Sequence, residues 1–70
     1  MVKAELTKTI EARKLNKRTM RILSHDPFTI PFGGILEKIE STDFGIRFYY
    51  LGEPYEADEL RVKGALKELE

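Results

Sequence analysis

Apolar and polar residues alternate from Val2 to Ala12. Val2, Ala4, Leu6, Ile10 and Ala12 hold even positions, and Lys3, Glu5, Thr7, Thr9 and Glu11 hold odd ones. Of the nine apolar residues between positions 2 and 23, seven are even-numbered, whereas on a helix the same nine scatter around the whole circle. A period of two predicts a half-buried strand. Helix propensity dissents, because Ala, Glu, Lys and Leu favour helix, but the periodicity outweighs it. Leu15-Asn16-Lys17-Arg18 then interrupts the pattern, and Thr19–Ile22 resumes it. A first hairpin is therefore expected with its tip near Asn16, a residue that tolerates the positive φ of a tight turn, and with a bulge at Leu15.

Ser24-His25-Asp26-Pro27 reads as a loop. Phe28-Thr29-Ile30-Pro31-Phe32 alternates again, and Pro31, lacking an N–H, belongs on an edge or at a strand end. Gly33-Gly34 predicts a bend, after which Ile35–Ile39 continues as strand; a long strand kinked at paired glycines curls a small sheet toward a barrel. Ser41-Thr42-Asp43 turns the chain into Phe44–Leu51, the strongest strand signal of all. Gly52-Glu53 fits a two-residue type II′ hairpin loop. That register sets Tyr50 opposite Tyr55, Phe48 opposite Ala57 and Arg47 opposite Asp58. Phe28, Phe32, Phe44, Phe48 and Tyr50 share even parity and form the expected core.

The last segment changes period. Val62, Ala65, Leu66 and Leu69 lie at i, i+3, i+4 and i+7, a helical stripe, with Asp58 as its N-cap and Glu59 in its first turn. Gly64 costs roughly 1 kcal/mol inside a helix, unless it allows close packing on the sheet. About five strands and a terminal helix result. The fold class is mainly β: a small SH3-like barrel or curled five-stranded antiparallel sheet with a C-terminal α-helix, or else a two-layer α+β meander. The aromatic motifs of true SH3 domains are absent, so the likeness rests on element count and turn spacing alone.

Composition narrows what such a fold can do. Seventy residues make a single small domain with little surface to bury, and the absence of cysteine excludes disulfides and thiolate metal sites. One histidine, His25, removes most imidazole-based metal sites. Abundant Lys, Arg and Glu beside one Asn and no Gln is a bias reported for heat-adapted proteins. No apolar run is long enough to span a membrane and the first residues lack a signal-peptide core, so a cytoplasmic location without membrane contact is expected. The formal net charge is zero but unevenly spread: residues 1–26 carry seven Lys/Arg against three Asp/Glu, and residues 27–70 carry five against nine.

Candidate chemistry is sparse. Ser24-His25-Asp26 has the residue types of a catalytic triad, but neighbours in an extended segment point to opposite sides and cannot line up. Gly33-Gly34 does not open a helix, so it makes no phosphate cradle. Glu53, Glu56, Asp58 and Glu59 lack the ligand spacing of a calcium loop and are read as helix capping and charge pairing. Neither a cofactor nor enzymatic activity is expected.

Two surfaces remain. Arg47, Tyr49, Leu51 and Pro54 lie on the face opposite the core residues, or at its rim, and suit a protein-binding or self-association site. Arg13, Lys14, Lys17, Arg18 and Arg21 place five cations around the first hairpin, the presentation used to bind nucleic-acid phosphates. The leading expectation is a small non-enzymatic interaction module that binds a protein partner or itself. A small nucleic-acid-binding domain using the basic hairpin is the alternative.

Overall fold

A computed structural model describes residues 3–23, 25–43 and 45–69. Among the described residues the chain is mainly β, with seven strands in one antiparallel sheet curled into a half-barrel, and one short helix near its end. The strands are β1 (Lys3–Leu6), β2 (Ile10–Lys14), β3 (Phe28–Ile30), β4 (Ile35–Thr42), β5 (Gly45–Tyr50), β6 (Glu53–Ala57) and β7 (Leu66–Leu69), with α1 (Glu59–Lys63) between the last two. Their order across the sheet is β3-β2-β6-β5-β4-β1-β7.

The expected long alternating runs are present, each bent into two strands. Glu5 pairs with Ile35 and Ile10 with Ile30, so one register continues from β1·β4 into β2·β3 across the corner between them. Backbone bonds carry it partway through the bend. The Leu6 N–H donates to the Gly34 carbonyl at 2.9 Å, and the Gly33 N–H donates to the Leu6 carbonyl at 3.0 Å. Gly33, at φ 87, takes a conformation open to glycine at little cost. The two bends add two strands, Thr19–Ile22 forms none and Leu66–Leu69 adds one, so seven strands stand where five were expected. Pro31 follows the last residue of edge strand β3, where its missing N–H leaves no ladder bond unmade.

Even parity survives the corner. Ala4, Leu6, Ile10, Ala12 and Ile30 are buried together with Leu36, Ile46, Phe48, Tyr55 and Ala57. Alternation would turn Ile39 away from Leu36's side, but the pairing shifts between Glu37 and Glu40, and Lys38 takes φ 52. This bulge packs Ile39 against the core beside Leu36. Two aromatic expectations need correction. Phe32 is 70% exposed at the bend, and Phe28 is 44% exposed on edge strand β3 although its ring lies 5.2 Å from that of Tyr55. Phe44 falls outside the described residues.

The β5–β6 hairpin turns at Leu51-Gly52, one residue earlier than the Gly52-Glu53 loop expected. Both turn residues have positive φ, 52 and 81, as a type I′ turn requires. The observed partners are Tyr50 with Glu53, Phe48 with Tyr55 and Arg47 with Glu56. Moving the tip by one residue moves each partner by two, so every side chain keeps its face. The inner pair becomes Phe48 and Tyr55, stacked at 6.2 Å, which is larger than the expected Phe48–Ala57 pair.

Asp58 caps α1 as expected, accepting from the Leu60 N–H at 2.9 Å. The helix is much shorter than its apolar stripe. It ends at the Gly64 C-cap, and Leu66–Leu69 form β7 instead, in four residue pairs with β1. A sheet edge offered by β1 outcompetes one more turn of an isolated helix. Gly64 serves as a terminus and not for close packing, since a side chain there would meet open space. Val62 and Ala65 are fully buried in the core, so α1 closes the inner face of the curl.

Candidate functional site

The outer face of the sheet carries most of the expected protein-binding residues. Odd parity in β5 turns Arg47 and Tyr49 outward, and cross-strand register decides what they meet. Arg47 pairs with Glu56 on β6 and with Glu40 on β4, and Glu56 pairs in turn with Arg13 on β2. Charge therefore alternates across four strands in one row. The Arg47 guanidinium lies 3.9 Å from both Glu40 Oε1 and Glu56 Oε2. Thr42 adds its hydroxyl, donating to Glu56 Oε2 at 3.4 Å. Arg47 Nε is buried with no hydrogen-bond partner, so the guanidinium is held by charge more than by well-formed bonds.

One row further along, Tyr49 lies between Pro54 and Glu37, and the Lys38 ammonium sits 5.2 Å above its ring. This cation–π contact uses the same bulge that redirects Ile39. Pro54 departs from expectation. It is fully buried, and its carbonyl accepts from the Leu15 N–H at 2.9 Å. Leu15, 1% exposed, continues the β2–β6 register opposite it. Pro54 thus seals the junction between the two hairpins and offers no surface to a partner. The sequence concealed this because Leu15 read as a bulge.

Leu51 is the most accessible member of the set, 81% exposed at the hairpin tip with φ 52. Continuing the β4·β5 register past Leu36–Tyr50 brings Ile35, also exposed, alongside it. Ile35 is not among the residues expected at this site, because its nearness to Leu51 is set by the β4·β5 register. Its odd number places it on the outer side, a signal the parity rule already contained.

The basic residues separate into two groups. Arg13 belongs to the charge row, whereas Lys14, half-exposed, lies on the other face of β2 opposite Tyr55. Lys17, Arg18 and Arg21 are exposed on the tip, which closes with the Met20 N–H donating to the Asn16 carbonyl at 2.7 Å. The return arm forms only the bridge Leu15–Ile22, not the strand expected over Thr19–Ile22. Asn16 does not take positive φ; Met20 does, at 60. Asn16 acts through its side chain instead, accepting from the Arg18 and Thr19 N–H groups at 2.8 and 3.0 Å.

A cleft of about 310 Å³ lies where β2 and β6 diverge, lined by Glu11, Arg13, Pro27, Glu56, Asp58 and Arg61 among others. Its charges are largely engaged internally. Arg61 lies 3.5 Å from Glu11 Oε1, Glu56 faces Arg47, and Asp58 caps the helix. Ser24 of the Ser24-His25-Asp26 segment lies outside the described residues, and His25 is exposed. Burial, then Glu53 and Tyr50, raise the Tyr55 hydroxyl above the usual phenol value of 10.0. No helix among the described residues is long and apolar enough to cross a membrane. The chain matches no family model, no curated protein and no solved structure.

Proposed function

We propose that the domain is a non-enzymatic interaction module that docks a protein partner, or a second copy of itself, on the outer face of β4 and β5. Leu51 and Ile35 supply the apolar contact, the Tyr49 ring extends it, and Arg47 borders it. The observation that carries this reading is Leu51. A first turn residue at positive φ favours Asn, Asp or Gly, and leucine there costs about 1 kcal/mol or more. An 81% exposed side chain recovers almost none of that through burial. Residues kept in an unfavourable conformation cluster where the side chain is used.

The side chains of this face offer apolar area and a paired guanidinium, which suits recognition better than proton transfer or nucleophilic attack. The curled sheet with its tight turns supplies a rigid platform rather than a function. A cysteine-free chain is compatible with the reducing cytoplasm.

Association is measured by sedimentation of the wild-type chain and of Leu51→Asn and Ile35→Ser over a concentration series. The same three proteins, immobilised, are offered a displayed peptide library. Wild-type self-association or peptide selection that both substitutions abolish, with thermal stability retained, supports the reading. A monomer at every concentration, together with identical peptide capture by all three proteins, eliminates it.

A further inference from the structure

The basic hairpin stands apart from the outer face just described. Residues 12–25 contain no carboxylate. Among the described residues, Lys14, Lys17, Arg18 and Arg21 take part in no ion pair, in contrast to Arg47 and Arg61. Their presentation is ordered. The Asn16 side chain holds the Arg18 and Thr19 amides, and the Asn16 N–H donates to the Arg21 carbonyl at 2.7 Å. Lys17, Arg18 and Arg21 therefore project from a fixed turn, and their local field is not cancelled by neighbours even though the whole chain is neutral.

An aromatic surface adjoins them. Lys14 faces Tyr55 across β2·β6, and Tyr55 packs at 5.2 Å against Phe28, which keeps 44% of its surface exposed. Ala12 pairs with Phe28 and precedes Lys14 by two residues, so the ring and the ammonium share one face of β2. From Ala12 to the start of the turn at Asn16 is about 13 Å of extended chain. Phe28 also sits on an edge strand flanked by Pro27 and Pro31, which discourages an added strand from covering it.

We infer that this surface binds single-stranded nucleic acid, with a base on the Phe28 ring and the adjoining phosphates on Lys14, Lys17, Arg18 and Arg21. The two chemistries must occur in one ligand. A single strand exposes both flat base faces and a phosphate chain, whereas a duplex hides the faces of its bases. An acidic peptide supplies charge without the flat partner.

Fluorescence anisotropy of a labelled ten-nucleotide oligothymidylate, titrated with the full chain, tests the assignment. Four phosphate contacts give a log–log salt slope near −3, so affinity falls about 50-fold between 50 and 200 mM salt. Phe28→Leu, which keeps apolar volume on β3 without a ring, weakens binding about fivefold or more at constant salt. Lys17→Glu/Arg18→Glu weakens binding and lowers the salt slope by about half or more, and Leu51→Asn changes nothing. Melting curves for each variant establish that it is folded. No anisotropy change at 20 mM salt overturns the inference. So does binding that Phe28→Leu leaves intact, or that heparin or a duplex reproduces with equal affinity, since either marks a general polyanion surface.

Discussion

Gly45 packs directly against the carbonyl of Ala57, leaving no room for a side chain between them. At φ 148 its backbone also lies where other residues are strained. The Ala57 carbonyl lies on the last residue of β6, just before the Asp58 cap, so displacing it moves the start of α1 and with it Val62. Gly45→Ala is expected to cost about 2 kcal/mol or more. Urea unfolding followed by circular dichroism checks this, and a midpoint equal to wild type refutes it.

Leu51→Asn has the opposite sign. Asn-Gly is the preferred pair for a type I′ turn, and Leu51 gives up little burial when replaced. The expected gain is about 0.5–1 kcal/mol, read as a rise of several degrees in melting temperature. A loss of stability would mean that Leu51 contributes packing not evident from its exposure.

At the first hairpin, Asn16→Ala removes an acceptor shared by two amides. About 1 kcal/mol or less is at stake at this exposed turn. Hydrogen exchange is the sharper measurement: the Arg18 and Thr19 amides should exchange faster, while those of β5 keep their protection.

Arg47→Met tests whether the charge row stabilises the fold. Two pairs at 3.9 Å are lost, but so is the burial of an unsatisfied Nε. The two effects oppose each other, and the net change is expected to stay within about 1 kcal/mol. A loss beyond 2 kcal/mol by urea denaturation would show that the row is a major support.

Tyr55 supplies a pH dependence. Its folded pKa is raised by burial, then by Glu53 and Tyr50, so the folded state favours the neutral phenol. That contribution is fully present below the unfolded value of 10.0 and is lost as pH rises through the folded pKa. Unfolding midpoints should be insensitive to Tyr55 through neutral pH and decline in the alkaline range. Tyr55→Phe should reduce that decline, and an unchanged alkaline profile in the variant rules this origin out.

Sequence parity located the core well wherever the chain stayed extended: Ala4, Leu6, Ile10, Ala12 and Phe48 all face inward as expected. It failed where a second element decided the outcome. Leu66 and Leu69 satisfy helical spacing, yet the edge of β1 recruits them into a strand. The β5–β6 tip could be placed at either of two positions because both registers keep the same faces, and the Phe48–Tyr55 stack favours one. Pro54 is expected at the surface, but Leu15, distant in sequence, pairs with it and both are buried. Of the expected protein-binding residues, Arg47, Tyr49 and Leu51 reach one face, and Ile35 joins them through a pairing that periodicity alone does not give.

The ladder that joins β2 to β6 has a kinetic consequence. Its pairs Arg13–Glu56 and Lys14–Tyr55 are continued only by the Leu15–Pro54 backbone bond, whereas β4·β5 and β5·β6 join chain neighbours through five pairs each. The seam closes a long loop, so it should form later in folding than those hairpins. Leu15, Pro54 and Tyr55 are buried along it. The lifetime of the closed half-barrel would then be set at the seam, by the packing of these three side chains more than by its few backbone bonds.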